Sequence, residues 1–198
     1  MDIDFQTIEK HIPYYLTQEQ KKILAKDLCD FNKRNIAYYI NKYPNEMLQG
    51  DGWKGLEVIN TSDGTRKNIM GIILSNTCDI SPDNKRDIPT NIVFAPIIKL
   101  KNYAALLQKN AFTNNQIENK FKAIREQKIT TMFYLPENET LNDEYVALLD
   151  DIHSVPAHSL TDKNNQKLFT LSQTGFYLFL FKLSVHFCRF HENLSRYD

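Results

Sequence analysis

Gly71-Ile-Ile-Leu-Ser-Asn-Thr-Cys-Asp-Ile-Ser81 holds the key to the fold. Its apolar part, Ile72, Ile73 and Leu74, is too short to fill a helix face and reads as a buried strand. Ser75, Asn76 and Thr77 then lift the chain out of the core, bringing Cys78 and Asp79 to its lip. A second apolar run, Ile92-Val-Phe-Ala-Pro-Ile-Ile98, follows after the polar loop 82–89.

Outward from this pair, Leu56-Glu-Val-Ile-Asn60 is a strand candidate, Ser62-Asp-Gly64 a tight turn and 67–75 the return strand, glycine tolerating the positive φ such a turn needs. The strand character begins at Gln49-Gly-Asp-Gly-Trp53. Strands resume at Ile129-Thr-Thr-Met-Phe-Tyr-Leu135 and at Tyr145-Val-Ala-Leu-Leu-Asp-Asp-Ile-His-Ser-Val155, on either side of the acidic loop 137–144.

Three segments read as helical. In residues 1–46, Thr17 and Gln20 have capping-box spacing, and Ile23, Leu24, Leu28 and Phe31 follow near helical period. Ile36, Tyr39 and Ile40 suit a further turn before Pro44. This segment is expected to be a cap on a main domain spanning 47–198, with a tyrosine-rich partner-binding arm as the alternative. Residues 99–128 form a helical insertion, two helices joined near Asn114-Asn115. At the C-terminus Thr170 and Gln173 again have capping spacing. Phe176, Phe179, Leu180, Leu183 and Phe187 then cover most of a helix, which is expected to be largely buried. Short strands with turns, a helical insert and a closing helix make a small barrel or tightly curled antiparallel sheet.

The chain has 198 residues, 42% of them hydrophobic, enough for one domain with a sizeable core. Its 24 basic and 24 acidic side chains cancel, so any nucleic-acid contact must come from a local patch. One such excess exists. Residues 99–128 carry seven lysines and arginines against Glu118 and Glu126, a net +5, in which Lys120, Lys122 and Arg125 are the candidates for holding RNA. A solvated helix face is the simpler explanation. Cys29, Cys78 and Cys188 are no disulfide framework and suit a reducing cytosol. The N-terminus lacks signal-peptide character, and the apolar run 176–190 is too short to span a bilayer. A cytoplasmic protein without membrane contact is expected.

The candidate chemistry is sparse. Cys78 as a nucleophile needs a cationic neighbour or a base such as His153 or His158, because the adjacent Asp79 raises a thiol pKa by repulsion. Asp79 suits a turn cap. His186 and Cys188 point about 200° apart on a helix, and Cys188 with His191 supplies only two ligands, so no metal site is expected. Asp150 and Asp151, as strand neighbours, would face opposite sides. No phosphate-binding glycine loop or paired Cys-x-x-Cys is present, and no cofactor is expected.

Taken in order, these segments resemble the MazF/PemK (CcdB-like) toxin family. The similar elements are Gln49-Gly50-Asp51, the Ser-ending strand 71–75, Phe94-Ala95-Pro96-Ile97, Leu149-Asp-Asp-Ile-His-Ser-Val155 and a final helix. The chain also looks like bacterial proteins with a Ser-x-x-Cys-Asp signature in such a barrel, here Ser75 to Asp79. The resemblance implies an α+β fold around a small SH3-like antiparallel barrel. RNA-cutting members place an arginine shortly before the Ser-ending strand and a threonine just after Pro-Ile. Here those positions hold Ile69 and Ile98, and the nearest arginine is Arg66, before Lys67. An isoleucine can neither stabilise phosphate charge nor move a proton. The expectation is a non-catalytic, toxin-like barrel that holds another protein in a bacterial defence, stress or toxin–antitoxin setting. The alternatives are a divergent endoribonuclease using Arg66 and Lys67 with Thr77 or Asp79, and a nucleic-acid-binding regulator. Homo-oligomerisation stays open.

Overall fold

A computed structural model describes residues 37–84, 87–161 and 165–187, together with Glu19 and Lys22, which are helical. The rest of the expected N-terminal helical cap, including Thr17 and Gln20, lies outside the described residues, as do Cys29, Cys188 and His191. The fold is α+β. The described residues form one antiparallel sheet of eight strands, in the order β1-β8-β2-β3-β4-β6-β5, with β7 also on β4. The strands are β1 (Tyr39–Ile40), β2 (Gly52–Ile59), β3 (Arg66–Ile73), β4 (Asn91–Lys99), β5 (Met132–Leu135), β6 (Tyr145–Leu148), β7 (His153–Pro156) and β8 (Gln166–Leu171). The α-helices described between and after them are α1 (Thr77–Ile80), α2 (Leu100–Lys109), α3 (Asn114–Arg125) and α4 (Gln173–Phe187).

The sheet curls into a half-barrel with both faces covered. Ile72, Ala95 and Ile97 point into the curl, where they meet Phe133, Phe169 and Phe179 of α4. Their neighbours Ile73, Ile92 and Phe94 point outward into a second cluster with Leu56 and Val155. Further along the same outer face, Leu100, Ile124 and Val146 anchor the α2–α3 hairpin. Burial on both faces is why β3 and β4 read as unbroken apolar runs rather than alternating ones.

Local chemistry fixes the joints. Gly64, at φ +72°, makes the β2–β3 turn, and Gly55, at φ +91°, occupies the β2 bulge where the register slips between Lys54 and Leu56. Thr113 and Gln116 form a capping box that starts α3, so the inter-helix joint falls just before Asn114 rather than at Asn114-Asn115.

Four expectations change. Tyr39 and Ile40 form a strand on β8, because Tyr38 is buried in the core and only pairing satisfies the neighbouring backbone. The run Tyr145 to Val155 is two strands. β4 pairs with β6 through Ile97 and with β7 through Phe94, so residues 148–152 bulge opposite Ala95 and Pro96. Proline has no N–H to offer a continuous partner there. Asp150 and Asp151 therefore lie in a turn, not on a strand. At the C-terminus Thr170 belongs to β8, and Ser172 Oγ instead accepts from Gly175 N–H (3.1 Å) at the start of α4. That helix buries Tyr177, Leu178 and Phe179, while Phe187 stands 55% exposed.

No helix of the described residues is long and apolar enough to cross a membrane.

Candidate functional site

The residues proposed for phosphodiester chemistry do not converge. Arg66 opens β3 and Ile73 ends it, so Arg66 stands roughly 23 Å from the strand end that leads to Thr77. Arg66 is exposed and paired with Glu57 (3.1 Å), and Lys67 is an exposed strand residue opposite Val58. Ile69 and Ile98, singled out above, are packing residues. Ile69 lies against the Leu56–Phe94 cluster and Ile98 against the Leu100–Ile124 cluster.

The Ser75–Asp79 motif is an architectural corner. Ser75 Oγ accepts from Val93 N–H (2.8 Å), and Thr77 Oγ1 accepts from Gln49 N–H (2.9 Å). Gln49 Nε2 donates to Leu74 O (2.7 Å), so the corner and the Gln49-Gly-Asp segment hold each other. Asn76 caps the single turn α1 by accepting from Cys78 N–H (2.9 Å). Cys78 is an exposed free thiol, and Asn84 Nδ2 donates to its carbonyl oxygen. Asp79 is exposed on the same turn. His153 stacks on Phe94 and pairs with Asp151 (3.1 Å).

Three of the seven cations of the basic insert are paired from outside it. Arg125 makes a two-pronged pair with Glu144 (2.7 Å each), whose carboxylate also accepts from Tyr134 Oη (2.6 Å). Lys101 and Lys99 converge on Asp143. The Arg125 hydrogen bond holds the Glu144 carboxyl below its usual range, and Lys101 does the same for Asp143. Lys120 is different: its ammonium stands over the rings of Phe112 (5.4 Å) and Tyr103 (5.6 Å). Among the described residues neither Lys120 nor the exposed Lys122 forms an ion pair.

One cleft stands out, with a volume of about 790 Å³. Its walls are residues 39–42 with Pro44 and Asn45, residues 138–140, and residues 165–170 with Trp53. The cleft lies where the sheet fails to close. Beside it, side chains span the gap between β1 and the end of β5: Tyr39 Oη donates to Pro136 O (2.8 Å), and Gln127 Nε2 donates to Tyr38 Oη (3.4 Å). On the cleft wall, Lys167 Nζ donates to Asp51 Oδ2 (2.7 Å), Tyr43 O (2.6 Å) and Thr170 Oγ1 (3.1 Å). Asp51 is fully buried, and burial pushes its carboxyl up while Lys167 pulls it back. Asp51 Oδ1 and Trp53 Nε1 are buried without a hydrogen-bond partner among the described residues.

The sequence pointed to this cleft only in part. Gln49-Gly-Asp-Gly-Trp53 stood out as the start of the strand region, but nothing in it marked Asp51 as buried. Lys167 gave no signal either, since a lysine in a polar stretch reads as solvated. Among the described residues no group of acids, histidines and cysteines is arranged to hold a metal. The sequence matches no protein-family model and no curated protein.

Proposed function

We propose that the chain is a non-catalytic, MazF/PemK-like binding module, a protein that acts by holding another protein, as expected of a barrel in a bacterial defence, stress or toxin–antitoxin setting. The curled antiparallel half-barrel with a closing helix is compatible with that descent. One observation carries the reading: Arg66 and the Thr77–Asp79 turn sit at opposite ends of β3, with apolar side chains at both aligned catalytic positions. A metal-independent ribonuclease needs charge stabilisation and proton transfer within hydrogen-bond reach of one phosphate. The test is incubation of the purified full chain with total RNA, beside native co-purification. Intact RNA and a retained protein partner are expected. Cleavage that disappears in Arg66→Ala overturns the reading, and so does the absence of any bound protein under native conditions.

A second reading, an RNA-binding regulator, draws on the Tyr103–Lys120–Phe112 stack. A cation held over aromatic faces suits unpaired bases. It predicts salt-sensitive RNA affinity without cleavage.

A further inference from the structure

We propose that the cleft takes an extended segment of a partner protein, which adds as a strand along the uncovered side of β8. The inference rests on the protein-holding reading and names the form of the partner. β8 has six residues. On one side β2 pairs with it through Gln166, Lys167 and Phe169. On the other side β1 reaches only Thr170 and Leu171, so residues 166–169 have no strand partner there among the described residues. This uncovered edge spans roughly 10 Å at the usual rise per strand residue.

The cleft runs along that edge. Residues 165–170 line it without a gap. A strand seen only from one face would contribute every second residue, so an unbroken series means that backbone is on offer as well. The charges do not favour a phosphate or carboxylate ligand: Lys42 is matched on the lining by Glu139, and Lys167 is already engaged. An ammonium has three N–H donors, and Lys167 directs all three to Asp51, Tyr43 and Thr170. The rest of the polar lining is one charge of each sign, Lys42 and Glu139, and a set of amides: Asn41, Asn45, Asn138, Asn165 and Gln166. Such amides both donate and accept, as a peptide backbone does. Trp53 and Tyr39 add aromatic surface for a residue of the incoming strand. Strand addition of this kind draws affinity from main-chain hydrogen bonds and specificity from alternate side chains.

The experiment selects short linear peptides from a random display library on the immobilised full-length chain, then synthesises the winners. Backbone N-methylation, one residue at a time, is expected to weaken binding at alternate positions by about tenfold and to be tolerated between them. Thr140→Trp, a change on an exposed loop that fills the cleft, is expected to abolish peptide binding while leaving the thermal melt unchanged. A selection without binders overturns the proposal. So does N-methylation tolerated throughout, or affinity undiminished in Thr140→Trp. The methylation series needs no variant protein, so it decides the matter even where the tryptophan disturbs folding. In each of these failures a native co-purifying protein would still uphold the protein-holding reading, with its contact placed elsewhere.

Discussion

Lys182 is the one cation in a helix otherwise built from aromatic, aliphatic and small polar residues and a terminal histidine, and only 4% of it is exposed. Its ammonium donates to Gln127 O (2.8 Å) and Ile129 O (2.5 Å), pinning the segment after α3 onto α4. Burial lowers its pKa from 10.5 to about 8. Between those values the unfolded chain binds more protons than the folded one, so folding becomes more favourable as pH rises. That depression corresponds to about 3 kcal/mol, gained across pH 8 to 10.5 and lost again as pH falls through 8. Urea titrations at pH 7.5 and 9.5 should therefore show higher stability at the upper pH. Lys182→Met should flatten that difference while lowering stability overall, because two carbonyls lose their donor. A wild-type profile flat over this interval would refute the assignment. The Asp51–Lys167 pair makes a second prediction. Removing one partner leaves the other charge buried, so Asp51→Ala or Lys167→Met alone should cost about 3–5 kcal/mol. The double variant should cost clearly less than the two losses added, since no lone charge remains. Strict additivity in denaturant melts would mean that the two groups are not coupled.

Gln127 joins three elements, although it belongs to none of them. Its side-chain amide donates to Tyr134 O (3.0 Å) and accepts from Tyr134 N–H (3.2 Å), so it stands where a further strand would pair with β5. This protects an edge that would otherwise template association. Its backbone has φ +56°, a region that costs a residue with a Cβ about 1 kcal/mol or more. Gln127→Ala keeps that cost and loses the amide, and should destabilise by about 1–3 kcal/mol. Gln127→Gly loses the amide but relaxes the backbone, so it should be the milder change by about 1 kcal/mol. Both variants should self-associate more readily in sedimentation. An alanine variant as stable as the glycine one would show that the left-handed backbone carries no strain. Edge devices of this kind explain what the sequence concealed. β3 and β4 were legible because burial on both faces produces apolar runs. The β2–β3 turn was legible because Gly64 marks it. β1 and β8 were not, because a two-residue strand has no period and because β8 runs straight into α4. There the Thr170–Gln173 spacing imitated a cap that Ser172 supplies. The β6–β7 bulge was hidden because its cause, Pro96, lies on another strand.

At the scale of the whole molecule, charge that looks local in the sequence proves to be shared across the fold. Residues 99–128 read as a basic excess, yet three of their seven cations are paired with Asp143 and Glu144, which follow β5 and lie far along the chain. The cleft was hidden for the same reason: it is assembled from four separate segments, and its polar residues are ordinary ones wherever they occur singly. The carboxyls of Asp143 and Glu144 are held low by Lys101 and Arg125, so both pairs persist through neutral pH and are lost only as pH falls through those depressed values. With Lys99, Lys101 and Arg125 engaged in this way, the insert of the wild-type chain should hold single-stranded RNA weakly, through Lys109, Lys120 and Lys122. The combined change Asp143→Asn with Glu144→Gln frees three cations. Each cation newly placed on single-stranded RNA steepens the dependence of log affinity on log salt by about 0.7. The variant should therefore bind RNA more tightly at low salt, with a slope steeper by about 2 than that of the wild type. Arg125→Ala added to it should remove about a third of the gain. The measurement is fluorescence anisotropy of a labelled RNA across a salt series, with melting curves to confirm that loss of the Tyr134–Glu144 hydrogen bond leaves the chain folded. Equal slopes in wild type and variant would mean that the two carboxylates do not screen the insert, and that its basic face is already open to a polyanion.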